Sequence, residues 1–182
     1  INKVLLINKL ALMNCKKKFV ITGGPGSGKT SLINEFEKRN FNCEHEIVRL
    51  LTIKGKKEGY DQVFLKNPLN FTKTLLDLRI SQYNKKPKSQ ITFYDRGVHD
   101  TLAYLNFVKA KIDFNLIEKC KLIKYDLAFI LPPWEEIYQK DDCRYENFEE
   151  STKIYYEIIK IYEFFQIDTI ILEKDSIINR VN

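Results

Sequence analysis

The chain has 182 residues, 44% hydrophobic and 13% aromatic, with 7 Gly and 5 Pro. That length suits one well-buried core better than two, and the aromatic content excludes a disordered or fibrous chain. The formal net charge of +6 arises from short clusters such as Lys16-Lys17-Lys18 and Lys85-Lys86-Pro87-Lys88 rather than from an organised stripe, so it reads as solvated surface and gives no firm nucleic-acid signal.

Taken in chain order, the apolar stretch Lys3 to Met13 is too short to span a bilayer, and no transmembrane segment is expected. Met13 would serve as a start, leaving residues 1–12 as an extension and 13–182 as a single domain. A strand is expected at 18–22, a glycine-rich loop after it, a helix at 29–39, a short strand near 41–45 and a helix around 46–53. Beyond the Lys/Gly segment at 54–60, Pro68 and Asn70 open a helical pattern through Phe71, Leu75, Leu78 and Gln82. A strand then covers Gln90 to Asp95, helices cover about 99–109 and 114–123, and Leu127 to Leu131 is another buried strand. Asn147 to Phe165 has helical spacing, Thr169 to Leu172 is the last strand, and Asp175-Ser176 reads as the cap of a closing helix. Alternating strands and helices imply a five-stranded parallel sheet with helices on both faces, a three-layer α/β architecture, with ligands at the carboxyl ends of the strands.

The glycine-rich loop carries the chemistry. Gly23-Gly24-Pro25-Gly26-Ser27-Gly28-Lys29-Thr30 fits G-x-x-x-x-G-K-[ST] between an apolar strand and a helix, the setting in which that pattern cradles a polyphosphate. The glycines leave room for backbone N–H groups to face the anion, and the following helix points its positive end at it. Lys29 is expected on the β- and γ-phosphates, the Thr30 hydroxyl on Mg²⁺, and Ser31 at the edge of the same nucleotide site.

Asp95 closes an apolar strand and precedes Arg96-Gly97, the form of a Walker-B partner that holds Mg²⁺ directly or through water, or takes a proton from an acceptor hydroxyl. An ordinary strand-end turn has the same letters. The four cysteines, Cys15, Cys43, Cys120 and Cys143, have no C-x-x-C or metal spacing, so free thiols and a cytoplasmic setting are expected.

Phe19 to Thr30, Glu46-Ile47-Val48-Arg49, Arg79-Ile80-Ser81-Gln82, Asp95 to Tyr104, Tyr125 to Phe129 and Asp142-Cys143-Arg144-Tyr145-Glu146 resemble, in order, the NadR-like AAA-domain family of small P-loop ATPases and kinases. That family is similar to nicotinamide riboside kinase and, more distantly, to deoxynucleoside kinases. The resemblance runs from Phe19 to Val181 and implies ATP binding, with phosphoryl transfer to a small hydroxyl acceptor such as a nucleoside or riboside.

Carried over, it puts Glu46 and Arg49 on the acceptor side, although their i,i+3 spacing also suits a surface ion pair. Gln82 would face the acceptor, or else lie with Arg79 on an exposed helix face. Asp100 is a further substrate-side candidate with a bland alternative, favourable charge in the first turn of a helix. The polar segment 134–146 is where such kinases place a lid, and Arg144 there would neutralise the transferring phosphoryl group. A solvent loop is the plain alternative. The absence of N-K-x-D favours ATP over GTP.

The leading expectation is thus a Mg²⁺-dependent, ATP-using kinase with Lys29, Asp95, Arg96 and Arg144 as catalytic residues. The alternative is a nucleotide-dependent switch that binds a protein or anionic lipid, and a nucleic-acid-associated NTPase is a weaker third. Oligomeric state is not written in the sequence.

Overall fold

The computed structural model describes residues 16–48, 51, 67–139 and 146–182. Five parallel strands form one sheet: β1 (Lys17–Gly23), β2 (Asn42–Glu44), β3 (Ile91–Asp95), β4 (Leu127–Leu131) and β5 (Thr169–Ile171). Their order across the sheet is β2-β3-β1-β4-β5. The three central strands are near-continuous apolar runs, as a strand covered on both faces must be. The edge strand β5 stays largely exposed although its sequence is apolar.

The helices are α1 (Lys29–Lys38), α2 (Pro68–Asn84), α3 (Asp100–Phe107), α4 (Phe114–Lys121), α5 (Phe148–Phe164) and α6 (Ile177–Val181). One face of the sheet, through Val20, Tyr94, Ala128 and Ile130, packs on Leu76, Leu102, Leu105, Leu116, Ile154 and Ile158 from α2 to α5. The other, through Phe19, Ile21, Phe93 and Phe129, packs on Leu32, Ile33 and Phe36 of α1 and Val181 of α6. Phe36 lies flat on Phe93 with centroids 3.9 Å apart. Two apolar layers about one sheet give the expected three-layer α/β fold.

Local signals set the helix ends. Asn67 caps α2 by accepting from the Asn70 N–H, with Pro68 in the first turn. Asn147 and Glu150 form a reciprocal capping box on α5, and the Ser176 hydroxyl, rather than Asp175, accepts from the Asn179 N–H at the start of α6. In the stretch expected as a helix around 46–53, Glu46 and Ile47 stand before the helix, Val48 and Leu51 are helical and the Leu51 N–H meets the Ile47 carbonyl; residues 49, 50, 52 and 53 lie outside the described residues.

Along α2 the buried face runs Thr72, Leu75, Leu76, Arg79, which leaves Leu78 38% exposed and takes Arg79 inside. The expectation of Arg79 on an exposed polar face is therefore corrected. Its Nη1 donates to the Gly97 carbonyl at 3.0 Å, so the guanidinium braces the turn after β3.

Candidate active site

The loop after β1 bends around three glycines with left-handed or otherwise positive φ, Gly23, Gly26 and Gly28. Gly26 shows the requirement best: at φ +77° a side chain would be strained, and a Cβ there would lie 2.5 Å from the Tyr138 ring. Two hydroxyls hold the loop. Ser27 donates to the Gly24 carbonyl at 2.9 Å, and Ser151 of α5 donates to the Pro25 carbonyl at 2.6 Å.

Lys29 is buried and its Nζ donates to the Gly24 carbonyl at 2.7 Å. Burial, reinforced by the Arg96 charge, pulls this ammonium down to about 7 against the opposing pull of Glu46, Asp95 and Asp100. Thr30 and Ser31 follow on the exposed side of the first turn of α1.

β3 pairs with β1 in a register that sets Asp95 beside Ile21, so the strand's terminal carboxylate reaches the base of the loop. Asp95 is 4% exposed, and its Oδ1 is buried without a hydrogen-bond partner among the described residues. Burial, then the Glu46 carboxylate, raises its carboxyl to about 6, although Lys29, Arg96 and Arg79 oppose the shift.

The next residue, Arg96, holds φ at +72°, unusual for a side chain of its size. That backbone turn sends the guanidinium back under the loop. Its Nη1 donates to the Gly23 carbonyl at 3.1 Å and its Nε to Glu46 Oε1 at 2.6 Å, while the Tyr104 ring lies 5.4 Å from its central carbon. Burial pushes the Glu46 carboxyl up, but Arg96 and Lys29 outweigh it and hold the group below its usual range.

A match to the model of an AAA domain spans residues 18–180. The chain belongs to that AAA-domain family. Solved structures with the same fold include deoxyadenosine kinase from M. mycoides with bound dATP, at 12% identity and a TM-score of 0.67 over 90% of this chain and 95% of that one. Thymidylate kinase from Ehrlichia chaffeensis matches at 17% identity and 0.60 over 89% of each chain. NadR protein in complex with NAD and AMP-PNP matches at 17% and 0.60 over 87% of this chain, which spans 45% of that longer protein. No curated protein sequence matches. These likenesses bear out the NadR-like P-loop resemblance and the three-layer α/β fold.

In this AAA-domain chain the structure brings Lys29, Asp95, Arg96 and Glu46 together at the loop. Gln82 stands next to them, its Nε2 donating to the His45 carbonyl at 2.8 Å, one residue from Glu46. Asp100 is corrected from the acceptor-facing position expected for it. It has no exposed surface, and both of its oxygens are taken by Thr22, Arg96 and Tyr162. Arg49 and Arg144 lie outside the described residues, as do Cys15, Cys143 and the rest of 140–145 in the segment expected as a lid.

Two contributors, Ser151 and Arg180, carried too little sequence signal to be singled out, and Arg79 was named only as part of a polar helix face. Arg180 of α6 is 5% exposed, points Nη1 at the Ser27 carbonyl at 3.5 Å and sets its guanidinium 5.7 Å from the Trp134 ring. Only the stripe Thr72, Leu75, Leu76, Arg79 offered a clue, because it puts an arginine in line with an apolar helix face.

Among the described residues no cluster of three or more His, Cys, Asp or Glu is arranged as a metal cage. A hard cation that takes much of its coordination from phosphate oxygens and water needs less than that, and the orphaned Oδ1 of Asp95 fits it. No helix of the described residues is long and apolar enough to cross a membrane.

Proposed function

We propose that this protein is an ATP-dependent kinase that phosphorylates a small hydroxyl acceptor of nucleoside or riboside type. The observation that carries the reading is the convergence of two buried cations and one unpaired carboxylate on the phosphate loop: Lys29 on the Gly24 carbonyl, Arg96 on the Gly23 carbonyl, and Asp95 Oδ1 beside them. Phosphoryl transfer asks for little else than positioning and charge neutralisation, which this grouping supplies.

Residues 23–31 wrap the triphosphate, with loop N–H groups and Lys29 on its oxygens. Asp95 and the Thr30 hydroxyl would hold Mg²⁺, directly or through water, and the ion neutralises triphosphate charge. Arg96 meets the transferring phosphoryl group from below, and Arg144 in a lid at 134–146 closes from above. Asp95 and Glu46 act as a coupled carboxylate pair split by their surroundings. Asp95, raised to about 6, takes the proton of the acceptor hydroxyl, while Glu46, kept ionised by Arg96, binds acceptor hydroxyls with Gln82 and Arg49 alongside. The names of the neighbouring structures, a deoxyadenosine kinase above all, support a nucleoside-sized acceptor.

The test is ATP consumption by wild type and Lys29→Ala against a panel of nucleosides and ribosides. Acceptor-stimulated ADP release that Lys29→Ala abolishes is the expected result. ADP release that no acceptor stimulates would remove the kinase reading.

A further inference from the structure

Asp100 opens α3 with a carboxylate wholly out of water, which is costly unless its oxygens are met. They are met by donors from a helix, a strand and the turn after β3. Tyr162 of α5 donates its hydroxyl to Oδ1 at 2.7 Å, Thr22 of β1 donates to Oδ2 at 2.6 Å, and Arg96 Nη1 approaches Oδ2 at 3.4 Å.

Tyr162 is itself fully buried, and its phenol is pushed well above its ordinary range by burial and by the Asp100 charge, so it remains a donor at any working pH. The hydroxyl also sits against Gly97, close enough that a Cβ at that residue would collide with it. Tyr162 therefore abuts the 95–100 turn at two points, while Arg79 holds the Gly97 carbonyl from α2 and the Tyr125 hydroxyl accepts from the Val98 N–H.

A guanidinium on a flexible stem needs restraint to point in one direction, and a misplacement of about 1 Å at a reacting centre costs on the order of a hundredfold in rate. Arg96 has Glu46 on its Nε and Asp100 on its Nη1. The Glu46 contact stands on the side proposed for the acceptor; the Asp100 contact is buried and faces the helix that follows residues 134–146.

We infer that Tyr162 is a positioning residue for phosphoryl transfer, holding Arg96 in its productive orientation through the Asp100 carboxylate. This rests on the kinase reading above. Tyr162 touches no substrate in this scheme and moves no proton. Its hydroxyl fixes the carboxylate, and the carboxylate fixes the guanidinium.

The experiment is a double-mutant cycle on wild type, Tyr162→Phe, Arg96→Ala and the double variant, followed with γ-labelled ATP so that the slow Arg96 variants stay measurable. In Tyr162→Phe, kcat falls roughly tenfold while KM for ATP stays within about twofold, the pattern of an interaction made in the transition state. In the Arg96→Ala background the same change has no further effect on kcat. A purely structural hydroxyl would lower the melting temperature in both backgrounds and leave kcat per folded molecule alone. An unchanged kcat in Tyr162→Phe, or an equal loss in both backgrounds, overturns the inference. If Tyr162→Phe does not fold, Thr22→Val removes a different donor from the same carboxylate and must show the same dependence on Arg96. A wild type without turnover on any acceptor removes the kinase reading, and this inference with it; a turning-over wild type with an additive cycle removes this inference alone.

Discussion

The Ser151 hydroxyl on α5 reaches the carbonyl of Pro25 across 2.6 Å inside the protein, tying the helix after the 134–146 segment to the crown of the phosphate loop. Ser151→Ala leaves that buried carbonyl unmet, a loss of about 1–3 kcal/mol. For a chain of this size the melting temperature should fall by roughly 2–4 °C per kcal/mol, with ATP bound more weakly because the loop loses its brace. Thermal melts and calorimetric titration check both. A variant that melts with wild type and binds ATP equally well would show that the bond contributes nothing.

His99 makes the protein sensitive to acid. Its ring is buried among Tyr125, Tyr162 and Phe165, and burial drops it to about 4, against the pull of Asp100. The Cys120 carbonyl lies close enough to favour the protonated ring but not in a geometry that completes a hydrogen bond. The unfolded chain takes up this proton at about 6.5 and the folded chain only at about 4, so stability is complete above the first value and is lost as pH falls toward the second. Full loss is on the order of 3 kcal/mol. His99→Phe should flatten the melting-temperature profile between pH 6.5 and pH 4 in its own measured curve; profiles that run parallel to wild type would contradict the assignment.

The two carboxylates should separate kinetically. Asp95→Asn removes the proposed proton acceptor and cation ligand together, and kcat should fall by on the order of a thousandfold. Glu46→Gln keeps the shape of the side chain while weakening its bond to Arg96, so the acceptor KM should rise several-fold more than the ATP KM. Steady-state kinetics with each substrate varied in turn reads the split. Equal effects of the two variants on kcat would mean that the roles are shared or reversed.

Trp134 is the sole tryptophan of the chain, and it has the Arg180 guanidinium 5.7 Å from its ring. A cation in that position is worth about 0.5–2 kcal/mol. Arg180→Ala should move the tryptophan emission to the red as water replaces the guanidinium, and should lower the melting temperature by a few degrees. Emission that does not move would show that the pair does not persist in solution.

Much of the fold could be read from the sequence because β1, β3 and β4 are short apolar runs punctuated by Gly, Asp and Pro, a pattern with few other solutions. The loop was equally plain, since Gly23 to Thr30 must be small or special at nearly every position. What stayed hidden were polar residues whose partners lie far along the chain. Asp100 reads as a helix-start acid, and only the fold reveals that Thr22 and Tyr162, 78 and 62 residues away, consume its charge. Arg79 and Arg180 look like surface arginines, as most arginines are. Ser151 is one hydroxyl in a polar first turn, and its bond to Pro25 spans 126 residues. Local periodicity carries no information about such long-range pairings.

The central placement of β1 also constrains biosynthesis. Among the described residues β1 pairs with two strands, β3 and β4, whose residues 91–95 and 127–131 leave the ribosome much later. Until they emerge, Phe19, Val20 and Ile21 form a sticky strand with two unsatisfied edges, and closing the sheet requires long chain loops, a topology associated with slow folding and premature aggregation. The nucleotide cradle is thus translated well before the two strands that complete it, so a nascent chain arrested before residue 127 should be a chaperone client that cannot hold ATP.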